Sequence, residues 1–503
     1  MTSRSFRNGL LLLVATGLSC ATSAQFDGYT LYNNSNQTTA YLINGDAQVE
    51  RTWSCPSAAN YAMALRDNGN IVRGAIQSGN IINGAAVGGK VQELNPQGQI
   101  VWEFVYSTAD YVTHHDLCLM PNGNVLLIAW VKQTLAQLQA LGYTGNTAKY
   151  PGRIIEVQQN GTGGEVVWQW EMKDRFIQYT DPSKPGYMPI AEHPERMNIN
   201  VAVTGSGGPG GGTDWFHENG VDYNPDLDQI AFSSRHLSEI FIIDHSTTTE
   251  EAAGHTGGNA GRGGDFLFRW GKPANYGITG PQRIPAAVHD IRWVKPNRPY
   301  AGWLQFVNNA GAGTNSTTID AINPVRDGYN YPWTPGTVWG PTNYEWRHNC
   351  LISSSGQSAS DRMPNGNVFV AISGGYMYEV DTDGDVVWQY NAGPAKAFRY
   401  TCDDPGIIAL LGADPCDLTT AMVEVATDQV SLFPNPSTGL VELAGVDVAH
   451  VERIALMDAM GREVMHTSGT VRLDLSGRND GPYHVIIVLR NGQRTHHAVV
   501  LQR

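Results

Sequence analysis

Five segments of this chain repeat one pattern, and that repetition constrains its fold more than any other feature. Four of them open on or near a histidine and run into an apolar stretch. These are His114-His115-Asp116-Leu117-Cys118-Leu119, Asp214-Trp215-Phe216-His217-Glu218-Asn219-Gly220-Val221, His289-Asp290-Ile291-Arg292-Trp293-Val294 and Trp346-Arg347-His348-Asn349-Cys350-Leu351-Ile352. The fifth, Tyr61-Ala62-Met63-Ala64-Leu65, carries tyrosine instead: aligned on Gly69 and Gly123, Tyr61 falls on His115. A second signature follows, Asp-x-x-Gly-x-x-x-Trp or close to it, ending at Gly98 and Trp102 in one copy and at Gly384 and Trp388 in another. Self-similarity at a period of roughly 40 to 50 residues, with four short strands per unit, predicts a β-propeller. Equivalent positions on equivalent strands point to the same place in a propeller. If the histidine-opened strands are innermost, their histidines converge on the central channel.

The remainder of the chain fits that reading. Of 503 residues only 16% are charged, while glycine (56) and tryptophan (13) are abundant, as many short strands and tight turns require. A net charge of −14 without a basic stripe argues against nucleic acid as a partner. Residues 1–24 read as a signal peptide: Arg4 and Arg7 precede the apolar run from Gly9 to Leu18, and Ala21-Thr22-Ser23-Ala24 offers a small-residue cleavage site. That run is too short to span a bilayer and no other segment is a candidate, so an exported protein without a transmembrane segment is expected. Loss of Cys20 leaves five cysteines, an odd number for an oxidising compartment; Cys402 and Cys416 are the expected loop-closing pair.

Residues 25–411 are expected to form the propeller. Residues 29–53 read as two outer strands with no inner strand before them, and Phe398-Arg399-Tyr400 has the opposite lack. Pairing the two ends closes the ring and removes exposed edges, giving six blades with the five complete units. Insertions at 131–150, with Leu135, Leu138 and Leu141 suggesting a short helix, and at 171–213, 246–264 and 310–343 are placed to shape a binding mouth. The glycine-rich run Gly205–Thr213 lacks a lysine and a following helix, so it reads as a loop and not as a phosphate cradle. Residues 412–428 read as a linker. Residues 429–503 alternate with period two between turn residues, the pattern of a small β-sandwich.

The C-terminal stretch opens Phe433-Pro434-Asn435-Pro436 and carries Asp458-x-x-Gly461 and Gly481-Pro482-Tyr483. It resembles the C-terminal sorting domain of the type IX secretion system. The resemblance implies Gram-negative bacterial export via the periplasm to the cell surface or medium, with the secretion machinery as a partner and no chemistry in this unit.

The chemistry therefore rests on the propeller histidines and on Ser233-Ser234-Arg235-His236. Imidazole is a nucleophile and a proton carrier at neutral pH, and the guanidinium fork matches tetrahedral anions. Together they suit transfer of a charged group through a covalent histidine intermediate. Asp214-Trp215-Phe216-His217-Glu218-Asn219, the Ile230–Ile240 segment with Arg235 and His236, the Trp-bearing turns and Phe398-Arg399-Tyr400 before Pro405-Gly406 resemble the bacterial arylsulfotransferases over residues 30–411. The resemblance implies a six-bladed propeller moving a sulfuryl group from an aryl sulfate donor to a phenolic acceptor, with no cofactor and no nucleotide donor. By motif, His217, Asn219 and Arg235 would cradle the sulfuryl oxygens and His289 would sit on the neighbouring blade. The family's covalent histidine lies late in the propeller, and Tyr378 occupies the place that fits best by order. The nucleophile is then His348 or His289, or the member is altered.

The expected working set is His217, His289, His348 and Arg235, with His115, Asn219, His236, Asn309 and Tyr378 contacting substrate and no metal. Three plainer readings stand beside it: histidines that brace neighbouring blades, an Arg235 paired with a carboxylate, and metal ligation. For the last, Glu345 and His348 lie three apart on a strand and face opposite sides. The rival function is a non-catalytic surface propeller.

Overall fold

The computed structural model describes residues 25–203, 209, 214–279, 285–416, 431–445, 448, 451–458, 462–489 and 494–503. The expected signal peptide, most of the expected linker and most of the glycine-rich run lie outside them. The chain divides into two compact units, Met1–Ala413 and Asp414–Arg503.

Six four-stranded antiparallel sheets follow one another in the first unit. Their leading strands are β1 (Ala59–Leu65), β2 (Tyr111–Leu119), β3 (Glu218–Asn224), β4 (Val288–Trp293), β5 (Ala359–Arg362) and β6 (Ala397–Thr401). Each neighbours the next, and β6 neighbours β1, so the six run around a closed ring in a propeller-like, all-β arrangement. Closure depends on the chain ends. Strand β6 pairs with Gly28–Asn33, Tyr29 opposite Tyr400, and Thr39–Ile43 and Val49–Ser54 complete that sheet. The N-terminal segment thus contributes three strands, one more than its sequence suggests, because Gly28–Asn33 is buried throughout and lacks the polar alternation that marks the others.

The recurring turn and tryptophan have a physical reason. Gly98 and Gly384 sit in the left-handed region (φ 79° and 91°), where a side chain is strained, and each closes a tight turn into the outermost strand. Three outer-strand tryptophans leave their own sheet and dock beyond it. Trp102 Nε1 donates to Gly163 O at 2.6 Å, Trp170 Nε1 to Gly264 O at 2.7 Å and Trp270 Nε1 to Pro341 O at 2.6 Å. Between the sheets lie apolar layers such as Leu126, Ile128, Ile154, Phe232 and Phe241. The expected helix in the 131–150 insertion is present at Leu135–Ala140, capped by Thr134 and Gln137.

The second unit holds a three-stranded and a four-stranded antiparallel sheet. Val441, Leu443 and Leu473 of the first share one apolar core with Ile454, Val485, Ile487 and Val499 of the second. Among the described residues no helix is long and apolar enough to cross a membrane. Cys402 and Cys416 are disulfide-bonded, and Cys55, Cys118 and Cys350 are free thiols.

Candidate functional site

Three of the repeated histidines meet where the leading strands begin. Each is aimed by a local break in the ladder. Strand β2 bulges between His114 and Leu117, β3 between Glu218 and Gly220, and β4 between His289 and Arg292. His115, His217 and Asp290 adopt the left-handed conformation (φ 55°, 55° and 52°). For residues with a Cβ this is a strained geometry, and bulges of this kind redirect side chains. The rings of His115 and His217 lie 4.5 Å apart between centroids, those of His217 and His236 4.8 Å and those of His217 and His289 6.4 Å. Tyr61 joins from β1, edge-on to His115 at 5.6 Å, and accepts a hydrogen bond from Gln357 Nε2.

The hydrogen bonds fix which nitrogen of each ring is free. Asn309 Nδ2 donates to the carbonyls of Ser354 (3.0 Å) and Gln357 (3.2 Å), so its Oδ1 must face His289. His289 Nδ1 lies 2.6 Å from that oxygen and 2.9 Å from Ala287 O. Both are acceptors, so Nδ1 carries the proton and Nε2 keeps its lone pair. His217 Nδ1 likewise meets Asp214 Oδ2 at 2.5 Å, and Trp130 Nε1 donates to Asp214 Oδ1 at 3.1 Å to hold the carboxylate.

Burial keeps His289, His115, His236 and His114 neutral. It drives His289 well below the ordinary histidine range, with the charges of Arg235 and His217 adding to it. His115 falls well below that range for the same first reason, reinforced by His217, His114 and His289. His236 is lowered to about 4 and His114 to about 3, again by burial first. Burial alone would raise Asp214, but the hydrogen bond and charge of His217, with His236 and His114, bring it below the usual range.

Arg235 supplies the charge. It sits on the turn after Gln229–Ser234, where its backbone N–H donates to His217 O at 3.0 Å. Its Nη1 donates to Ser355 O at 2.8 Å. Gly356 lies between this guanidinium and His289: a Cβ there would stand 2.8 Å from Arg235 Nη1 and 3.5 Å from His289 Cε1. A neutral nucleophilic nitrogen and a half-exposed cation thus flank one small space.

Four expected site residues take other places. His348 is on Trp346–Asn349, the outermost strand of its sheet and not a leading one, and its Nε2 bonds Tyr378 Oη at 3.0 Å. Tyr378 is fully buried on a third strand, where its hydroxyl also accepts from Leu351 N at 3.2 Å. This pair packs between two sheets, away from the histidine ring contacts. Asn219 is buried with its amide committed, Nδ2 donating to Val288 O at 2.7 Å and Oδ1 accepting from Ser233 Oγ at 2.7 Å, so it clamps β3 to β4. Asn309 positions His289, with both N–H groups of its amide given to backbone carbonyls.

Sequence reasoning missed Asp214, Gln357 and the ion network beneath the histidines. Lys396 Nζ reaches Asp116 Oδ2 and Asp290 Oδ1, each at 2.8 Å, and Arg292 Nη2 meets the same two carboxylates at 3.1 and 3.0 Å. Asp116 also accepts from Val221 N and Asp290 from Ser360 N, so two carboxylates and two cations staple β2 to β6 around the axis. The dipeptide His-Asp at both 115–116 and 289–290 was the available signal. Asp214, His217 and His236 also form a group in which one donor atom from each lies within 4.8 Å of the others, the only such metal-competent group among the described residues.

Part of the chain matches a known family model. The family model of the arylsulfotransferases (ASST) matches residues 4–252. The match takes in His115, His217, Asn219, Arg235 and His236, ends before His289, and supports an arylsulfotransferase-like function in general terms. No curated protein matches the chain. Similar solved structures include a protein of unknown function from Bacteroides caccae, 13% identical over 74% of this chain and 98% of that one, with a TM-score of 0.41. A putative 6-phosphogluconolactonase from Bacteroides fragilis is 11% identical over 76% and 99%, with a TM-score of 0.37. The periplasmic gluconolactonase of Pseudomonas aeruginosa is 10% identical over 95% and 100%, with a TM-score of 0.34. These likenesses are distant, and no conclusion about this chain rests on them.

Proposed function

We propose that the chain is a secreted arylsulfotransferase-like enzyme on a six-bladed β-propeller, with His289 as the nucleophile. The observation that carries this is the state of His289: buried, neutral, its Nδ1–H tied to Asn309 and Ala287, its Nε2 free beside Arg235. In the first half-reaction Nε2 forms a bond to the donor's sulfur as the aryl S–O bond breaks, and that electron pair leaves on the phenolate oxygen. Arg235 balances charge on the sulfuryl oxygens. In the second half-reaction the acceptor phenol gives its proton to His217 Nε2 and its oxygen attacks sulfur. The N–S pair returns to His289. Asp214 stabilises the imidazolium formed on His217, the role a buried carboxylate plays toward a catalytic histidine.

The C-terminal unit is read as a β-sandwich that directs export through the type IX machinery after the signal peptide is removed. Its own apolar core and the resemblance of its opening motif support this. Residues 412–428 would be the linker, and the natural donor and acceptor would be sulfated and free phenolic compounds.

The test is release of a coloured phenol from a model aryl sulfate, with and without a phenolic acceptor. Acceptor-dependent turnover with parallel double-reciprocal lines is expected from two half-reactions sharing a covalent intermediate. Absence of transfer from every aryl sulfate tried sinks the reading and leaves a surface-binding propeller.

A further inference from the structure

A second property follows from the side of this mouth that the transfer scheme leaves unused. His236 has no place in the reaction as drawn, yet it is only 8% exposed and its Nε2 has no hydrogen-bond partner. Leaving a buried polar atom unpaired costs about 1–3 kcal/mol, so an orphan of this kind asks for an explanation. Its Nδ1 lies 3.3 Å from Trp215 O, which orients the ring and leaves the Nε2 lone pair without a partner. The ring beside it, 4.8 Å away, is His217, whose Nδ1 faces Asp214 Oδ2 at 2.5 Å. Asp214 itself completes a group of three whose donor atoms all lie within 4.8 Å of one another.

We infer that Asp214, His217 and His236 form a binding site for one divalent first-row transition ion. Two imidazoles and one carboxylate are a donor set of intermediate softness, suited to zinc, iron, cobalt or manganese and not to calcium or magnesium. One ion bonded at about 2.0–2.2 Å to each donor would replace the proton between His217 Nδ1 and Asp214 Oδ2, opening that 2.5 Å contact and leaving the ring's proton on Nε2, while His236 closes in from within 4.8 Å. The carboxylate leaves the complex one positive charge, which Arg235 on the adjoining turn opposes. That repulsion sets a moderate affinity. Because His217 serves both uses, a bound ion withdraws the base from sulfuryl transfer. This regulatory consequence rests on the proposed function; the binding itself does not.

The test is direct titration of the apo full-length protein with zinc, followed by calorimetry, and with cobalt, followed by the visible absorption of the ion. One saturable equivalent is expected, with a cobalt spectrum of nitrogen and oxygen ligation. His236→Ala should weaken zinc binding at least tenfold, and His236→Gln should do the same without emptying the space. Circular dichroism melting checks that both variants are folded. Absence of saturable binding in the wild type, or binding unchanged in both folded variants, overturns the inference. Zinc binding in a protein that transfers no sulfuryl group leaves the site standing and removes the transferase reading.

Discussion

His289 and His245 belong to the same unit, are both buried, and are driven in opposite directions. His289 faces an amide oxygen, a backbone carbonyl and a cation, and burial holds it neutral. His245 lies between Asp228 (2.6 Å) and Glu156 (3.2 Å), under Trp168 and Tyr223. Burial opposes its charge too, but the two carboxylates outweigh that and raise it to about 9. One histidine is a lone pair kept ready; the other is a cation pinning two sheets. The chemistry of a buried histidine follows from its neighbours and not from its repetition in the chain.

The largest expected effect separates these roles. His289→Ala should cut transfer by about a hundredfold or more while the melting temperature stays near that of the wild type, measured by phenol release and calorimetry. Arg235→Ala should cost about 10²–10³ in kcat by removing one preorganised charge, again with little loss of stability. If either variant melts far lower, the mouth residues are structural and the contrast collapses.

The ion network should behave like His245, only more strongly. Lys396→Met leaves Asp116 and Asp290 facing Arg292 alone, and unpairing a buried charge costs about 3–5 kcal/mol. Chemical denaturation of the variant against the wild type measures it; a change within error would mean that Arg292 suffices.

A pH series sharpens the comparison further. The folded value of His245 lies above its unfolded value of about 6.5, so its stabilisation is complete below about pH 6.5 and fades as pH rises through about 9. Wild type should therefore lose up to about 3 kcal/mol relative to His245→Ala across that window. Taking the difference between the two proteins cancels other groups that titrate there, such as buried Glu218, raised by burial to about 8. Parallel stability curves would contradict the assignment. The smallest effect is expected at His348: His348→Ala should leave transfer within about twofold, because the ring only meets Tyr378 between sheets.

The sequence carried the repeat, and with it the meeting of His115, His217 and His289, since equivalent positions on leading strands share a location. It misplaced His348 because Trp346-Arg347-His348 looks like the other strand openings. The leading strand of the next sheet is Ala359–Arg362, whose opening Gln357-Ser358 carries no histidine. Strand order is set by which segments pair, and local composition does not report it. Long-range contacts explain the other omissions. Gln357 meets Tyr61 from 296 residues away, and Lys396 reaches Asp290 from 106. Asn219 matched a motif in a position where its amide bonds Val288 O and Ser233.

The central claim is that His289 carries the sulfuryl group. Incubating the protein with an isotopically labelled aryl sulfate and no acceptor, quenching under alkaline conditions and mapping the peptides tests it most directly. Label on the peptide containing His289, discharged by added phenol and absent from His289→Ala, is the predicted result. Label on another residue, or acceptor-dependent transfer by the His289→Ala variant at the wild-type rate, would contradict it.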